Sequence, residues 1–151
     1  AKEGRIDTDG LAQFLTHSYF SRTPPKSLDR NAFHQSMTLV ESMSDGDGVA
    51  TLLAFTVESI AKALDHVPVR PEHWYVCGGG RHNAHLMTSL KTRLGASIEP
   101  VEALGWNGDM LEAECFAWLA VRALKELPLS LPSTTGVPYP LTGGTIHVPS
   151  R

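Results

Sequence analysis

The sequence predicts an α/β fold, helix-rich, with a small sheet that includes a β-α-β unit. Three observations predict it. The run His73-Trp74-Tyr75-Val76-Cys77 is aromatic and β-branched and stops in Gly78-Gly79-Gly80, the signature of a strand closed by a turn. From Asn83 to Leu94, the residues Leu86, Met87, Leu90 and Leu94 form an apolar stripe of helical period. Ala96 to Val101 is a second short strand, so the crossover is expected to be parallel and right-handed.

The remaining elements follow in order. Asp7 or Thr8 can cap a helix that runs to His17, with Leu11, Phe14 and Leu15 on one side. Pro24 and Pro25 break regular structure, because proline fixes φ and removes a donor. Ser27, Asp29 or Asn31 restarts a helix to about Met43, and Ser44-Asp45-Gly46-Asp47-Gly48 reads as a turn. Val49 to His66 carries Leu52, Leu53, Phe55, Ile60, Ala63 and Leu64 at helical spacing and should be well buried. Val67 to Pro71 links into the first strand, and Gly95 is the C-cap candidate of the following helix. A long helix is expected from Asp109 to Leu127. The tail from Pro128 to Arg151 is rich in proline and glycine and reads as irregular, with a short strand at Thr145 to Val148. Its Leu129, Leu131 and Val137 are expected to pack on the body.

A length of 151 residues fits a single domain. It divides into a helical part, 1–66, a β-α-β-α core, 67–127, and the tail, 128–151. The net charge of −3 offers no electrostatic grip on nucleic acid or on an anionic membrane. No apolar run reaches the roughly 18 residues of a membrane span, and the N-terminus lacks a signal-peptide layout. Cys77 and Cys115 are expected to be buried free thiols, consistent with a cytoplasmic protein. The chain has no initiator Met and few strands for its length, as expected of a piece of a longer protein.

The glycine corner is the leading candidate for chemistry. Glycine enters φ > 0 at little cost and lets a ligand approach bare backbone, while a helix start offers unpaired N–H groups to an anion. A seat for a nucleotide phosphate or a sugar is one reading, and a purely structural turn is another. A third is a dinucleotide site, since Gly78-x-Gly80-x-x-Asn83 approximates G-x-G-x-x-G/A and Glu99 stands near the ribose-binding distance. Asn83 departs from that pattern at its third glycine.

Other motifs carry blander readings. Asp7-Thr8-Asp9-Gly10 lacks a strand before it, so capping outweighs phosphate chemistry, and Asp45-Gly46-Asp47-Gly48 lacks the later ligands of a calcium loop, so a turn and N-cap outweigh that reading too. The seven histidines are scattered, and His82 and His85 have no partner at zinc-ligand spacing. In the last large helix Asp109, Glu112 and Glu114 stand near the start, where carboxylates favour the helix dipole. Glu112 neighbours Ala113, Cys115 and Phe116. It is either an inward carboxylate seeking donors such as sugar hydroxyls or a dipole-stabilising surface group.

Several of these pieces share one likeness. Val76-Cys77-Gly78-Gly79-Gly80-Arg81-His82-Asn83-Ala84-His85-Leu86-Met87 resembles the V-C-G-G-G-x-x-N-x-x-L-M segment of anhydro-N-acetylmuramic acid kinases. Asp109 to Ala120 resembles their D-x-x-E-A-x-x-F-A-W-L-A helix. Pro24-Pro25-Lys26-Ser27 is similar to their P-P-K-S-x-G-R-E motif, from which Leu28-Asp29-Arg30-Asn31 departs. Leu131-Pro132-Ser133-Thr134-Thr135-Gly136 and Gly143-Gly144-Thr145-Ile146 match their C-terminal layout, so the resemblance runs in order from about residue 5 to the end.

The resemblance implies the C-terminal part of an actin-like (ribonuclease-H-like) kinase of two lobes. It implies phosphorylation, dependent on ATP and Mg2+, of 1,6-anhydro-N-acetylmuramic acid, with hydrolysis of the anhydro ring, in bacterial peptidoglycan recycling. Gly78, Gly79, Gly80 and Asn83 would lie against the nucleotide, and Glu112 at the sugar. The phosphate-binding loop and the catalytic aspartate are expected upstream, in a missing N-terminal lobe that also takes part in holding the metal, so this chain alone is expected to be inactive. Lys26 and Ser27 match the motif without an assigned role beyond an interdomain contact. An uncovered sheet edge, to be protected by the missing lobe or by a second copy in a homodimer, also follows. The competing functions are a dinucleotide-binding oxidoreductase module and a non-catalytic interaction domain.

Overall fold

The computed structural model describes residues 3–147, with the backbone alone at residues 30 and 34–36. It opens with helix α1 (Thr8–Phe14), capped by Asp7, whose carboxylate accepts a hydrogen bond from the Asp9 amide at 3.1 Å. The acidic loop is a cap, as its context predicts. A 3-10 helix, Ser18–Ser21, precedes the proline pair.

The helix expected to run to Met43 is mostly a 3-10 helix, Arg30–Met37, followed by one turn of α-helix, α2 (Thr38–Glu41). The Asp29 carboxylate accepts from the Asn31 amide at 2.8 Å, a local bond that competes with α-helical pairing at the start of the segment. Helix α3 (Asp45–Ala61) begins four residues before Val49, because the Ser44 hydroxyl accepts from the Asp47 amide and caps it there. Asp45-Gly46-Asp47-Gly48 is therefore the first turn of a helix and not a connecting turn. A 3-10 helix, Lys62–His66, completes the run.

Strand β1 (His73–Val76) leads through the glycine corner into helix α4 (Ala84–Leu94), and strand β2 (Ser97–Pro100) returns beside it. The two strands pair in parallel with His73 opposite Ser97 and Val76 opposite Pro100, so the β-α-β unit forms as its periodicity predicts. Gly95 ends α4 in the left-handed region, as a C-cap glycine should. A 3-10 helix, Val101–Leu104, then joins β2 to helix α5 (Leu111–Leu124), and one turn, α6 (Pro132–Thr135), follows.

The core is where α3 and α4 cover one face of the small sheet. Val57 and Ala61 of α3 meet Leu90 and Leu94 of α4, and Trp74, Val76 and Ile98 pack beneath them. Burying one such Leu side chain contributes about 2 kcal/mol. A second apolar cluster stacks Phe14, Phe20, Phe33 and Phe55, fixing α1 against α3.

The last helix has no such cover. None of the fourteen residues of α5 is buried, although its sequence is apolar nearly all round: Phe116, Trp118, Val121 and Leu124 stand exposed. Its C-terminal half meets the tail, where Arg122 donates to the Pro128 carbonyl and Leu129 lies near Gly144. The tail is irregular apart from α6 and one antiparallel bridge, Ser130 with Leu141. Gly136 lies close to Pro25, which a Cβ there would touch at 3.5 Å, and Leu129 and Val137 are half-buried, whereas Leu131 is exposed. Of the strand expected at Thr145 to Val148, residues 145–147 are not strand and Val148 lies outside the described residues.

Both cysteines are free, but they are exposed and not buried. Cys77 follows a strand whose sheet has two members among the described residues, and Cys115 sits on the uncovered α5. Val76 packs into the core while Cys77, the next residue, lies past the end of the strand and is exposed; Cys115 is exposed with the rest of its face of α5. Among the described residues no helix is long and apolar enough to cross a membrane.

Candidate functional site

The glycine corner forms at the C-terminal end of β1. Gly78 takes φ 72° and ψ −178°, a conformation nearly confined to glycine, and Gly79–His82 wind into a single 3-10 turn. A Cβ added at Gly78 or Gly79 would meet nothing within 4 Å, and one at Gly80 would touch only the Leu86 side chain at 3.4 Å. The corner is open, with bare backbone facing space that a ligand can enter. It is not sealed by the protein's own side chains.

Asn83 does its work one step later. Its Oδ1 accepts from the amides of His85 and Leu86, both at 3.1 Å, and so caps α4. With Oδ1 committed to the helix, its side-chain NH2 is the group left for a ligand.

The corner is joined to the start of α5 by a cluster centred on Arg81. The Gly78 amide donates to the Gly108 carbonyl at 3.1 Å. Arg81 donates to the Gly78 carbonyl at 2.9 Å, to Glu102 Oε1 at 2.9 Å and to Asp109 Oδ1 at 2.8 Å. Glu102 also accepts from the Gly108 amide at 3.2 Å, and His82 lies 3.8 Å from Asp109.

The Arg81 side chain is 4% exposed, while Glu102 and Asp109 keep 44% and 66%. The hydrogen bond to Asp109 raises the Arg81 pKa above its ordinary value against the opposing effect of desolvation. The same bond holds the Asp109 carboxyl below the usual carboxylate range. Glu102 is lowered too, first by its own backbone amide and then by Arg81.

Glu112 lies in the first turn of α5, just past this cluster, and is exposed. Among the described residues Glu112 is therefore solvent-facing, as in the dipole-stabilising alternative. Lys26 joins its own segment to the end of the 3-10 helix after α3. Its ammonium donates to the carbonyls of Tyr19 and Phe20 and lies 2.9 Å from His66 Nε2, above the Tyr19 ring. Ser27 is exposed.

Sequence reasoning singled out the glycines, Asn83 and Glu112 but missed the Arg81, Glu102 and Gly108 cluster. The one available signal was an arginine directly after a glycine run, with an acid, Asp109, at the expected start of the last long helix. Glu102 had no local signal, since its partner lies 21 positions away.

The sequence profile of the anhydro-N-acetylmuramic acid kinase family matches residues 1–149. The chain belongs to the anhydro-N-acetylmuramic acid kinase family. It is 55% identical over 145 residues to the anhydro-N-acetylmuramic acid kinase of Rhodospirillum rubrum, an alignment that covers 96% of this chain and 38% of the relative. Identity to the kinase of the same name from Brucella anthropi is 51%, over 97% of this chain and 39% of the relative. For that of Paramagnetospirillum magneticum it is 50%, over 99% and 42%. The chain thus spans about two fifths of the length of these curated relatives. Neither the dinucleotide-binding oxidoreductase nor the non-catalytic domain finds support. The profile is that of a kinase, and Asn83 serves as a helix cap where the dinucleotide pattern needs a glycine for close packing.

Proposed function

We propose that this chain is the C-terminal part of an anhydro-N-acetylmuramic acid kinase and supplies one wall of its cleft. The reaction is the transfer of the γ-phosphoryl group of ATP to O6 of 1,6-anhydro-N-acetylmuramic acid. Water adds at C1 as the C1–O6 bond breaks, giving N-acetylmuramic acid 6-phosphate and ADP. The observation that carries this reading is the open glycine corner, bonded directly to the turn that leads into α5, in a chain that matches the kinase family over nearly its whole length.

Gly78, Gly79 and Gly80 present backbone to the nucleotide, and Asn83, whose Oδ1 is committed to the cap of α4, offers it the side-chain NH2. Glu112, solvent-facing at the start of α5, accepts from sugar hydroxyls. The water-activating aspartate and the phosphate loop belong to the upstream lobe of an actin-like fold. Among the described residues no group of three His, Cys, Asp or Glu side chains could hold a metal. Mg2+ would then be held by the nucleotide and the upstream lobe.

The uncovered faces agree with a larger whole. A helix apolar nearly all round belongs in an interior, and α5 is such a helix with none of its residues buried. The polypeptide that makes up the remaining three fifths of the relatives' length is its proposed cover, in a cytoplasmic enzyme of peptidoglycan recycling. A second copy at the two-stranded sheet's edge is compatible with this arrangement.

The test joins the chain to its upstream coding sequence and measures ADP release with the anhydrosugar. Glu112→Gln should lower kcat/KM for the sugar about tenfold or more, with nucleotide affinity retained. A folded protein without turnover refutes the proposal, and an unchanged rate in Glu112→Gln removes Glu112 from the site.

A further inference from the structure

We infer that Arg81 is a positioning residue that sets the separation between the two substrate seats, the glycine corner and the first turn of α5. The inference rests on the kinase reading above. Arg81 reaches three stretches of chain at once. It bonds the carbonyl that opens the corner, the carboxylate of Glu102 after β2, and Asp109 beside the first turn of α5.

Gly108 is shaped to this contact. A Cβ there would stand 2.6 Å from Arg81 Nε and 2.9 Å from Cζ, so only glycine lets the backbone lie against the guanidinium. The Gly108 carbonyl and amide are themselves tied to Gly78 and Glu102. The corner therefore cannot shift along α5 without breaking several bonds together.

A guanidinium suits the task because its donors are fixed in one plane, whereas a lysine ammonium supplies a single movable point charge. The fork transmits both distance and angle. The titratable groups facing Arg81 are Glu102 and Asp109, with His82 beside Asp109, so the cluster stays charged through neutral pH. In-line phosphoryl transfer requires donor and acceptor held in alignment, and a misplacement of about 1 Å costs on the order of a hundredfold in rate. In this reading Arg81 touches neither reacting atom and acts through the backbone it registers.

The experiment uses the intact kinase with Arg81→Met, Arg81→Lys and Asp109→Asn. The expected result is a kcat lower by about tenfold or more in Arg81→Met, with KM for ATP and for the anhydrosugar each within about threefold of the parent. Arg81→Lys should fall between, and Asp109→Asn should share the defect in kcat. In the intact kinase, amide hydrogen exchange of Arg81→Met should rise together at Gly78–Arg81 and at Gly108–Leu111.

Raised KM at unchanged kcat overturns the inference. So does a normal kcat per folded molecule, the mark of a merely structural role. Where Arg81→Met does not fold, Arg81→Lys and Asp109→Asn decide by the same criteria. A folded parent enzyme without turnover defeats the kinase reading and this inference with it; a working parent with indifferent Arg81 variants defeats only the inference.

Discussion

Alanine at Gly78 and at Gly79 separates what the corner needs for folding from what it offers a ligand. Neither substitution meets a steric obstacle, since a Cβ at either position has no atom within 4 Å. Gly78 nevertheless holds φ 72° and ψ −178°, where a side chain is strained by about 1–3 kcal/mol. Gly79 lies in the 3-10 turn outside the positive-φ region, so alanine is accommodated there.

Both substitutions restrict the unfolded chain by a similar amount, about 0.4–1 kcal/mol in favour of folding. That contribution cancels in the comparison. The difference between the two variants is then the backbone strain alone, about 5- to 150-fold in the unfolding equilibrium. With a urea slope of about 2 kcal/mol per M, a strain of about 2 kcal/mol separates the midpoints by about 1 M.

The assay is urea denaturation of the 151-residue chain and its two variants, followed by circular dichroism. Gly78→Ala should unfold first, and Gly79→Ala at or slightly above the parent midpoint. Equal midpoints, or a less stable Gly79→Ala, would refute the reasoning. In the intact enzyme the added methyl of Gly79→Ala occupies the proposed nucleotide seat, so ATP affinity should fall there while stability holds.

Three further outcomes follow from the geometry. Asn83→Ala removes the acceptor of two helix-start amides and should destabilise the chain by about 1 kcal/mol, read from the same urea curves, with Asn83→Asp largely retaining the cap. Leu90, 2% exposed between α3, α4 and the sheet, should cost about 2–5 kcal/mol when replaced by alanine, measured by thermal or urea denaturation. The depressed pKa values of Asp109 and Glu102 give an acid dependence of known sign. Their contribution to stability is complete above the ordinary carboxylate range and is lost as pH falls through the lower native values. Arg81→Met should flatten that acid limb in denaturation midpoints taken between neutral pH and about pH 3, because it removes the partner that lowers Asp109 most. The raised Arg81 pKa adds no alkaline limb, since arginine stays charged throughout the accessible range.

Local rules made much of this chain legible without coordinates. The stripe Leu86-Met87-Leu90-Leu94, the C-cap Gly95 and the β-branched run before Gly78 depend on neighbours within a few positions. The β-α-β unit therefore formed where its period placed it. Where local rules conflicted, boundaries moved. Ser44 recruited Asp45 to Gly48 into α3, and the Asp29 side chain competed for backbone donors at the start of the 3-10 segment.

The candidate site divides along the same line. The glycine turn and the place of Glu112 in the first turn of α5 depend on backbone angles and helix boundaries, which short stretches of sequence largely dictate. The Arg81 clasp joins residues 21 and 28 positions apart, and the space denied to a side chain at Gly108 exists only once that guanidinium is in place. Exposure of Cys77, Cys115 and α5 also depended on the whole assembly of elements. An apolar residue is buried only if some other surface is present to cover it, and no residue carries that information alone.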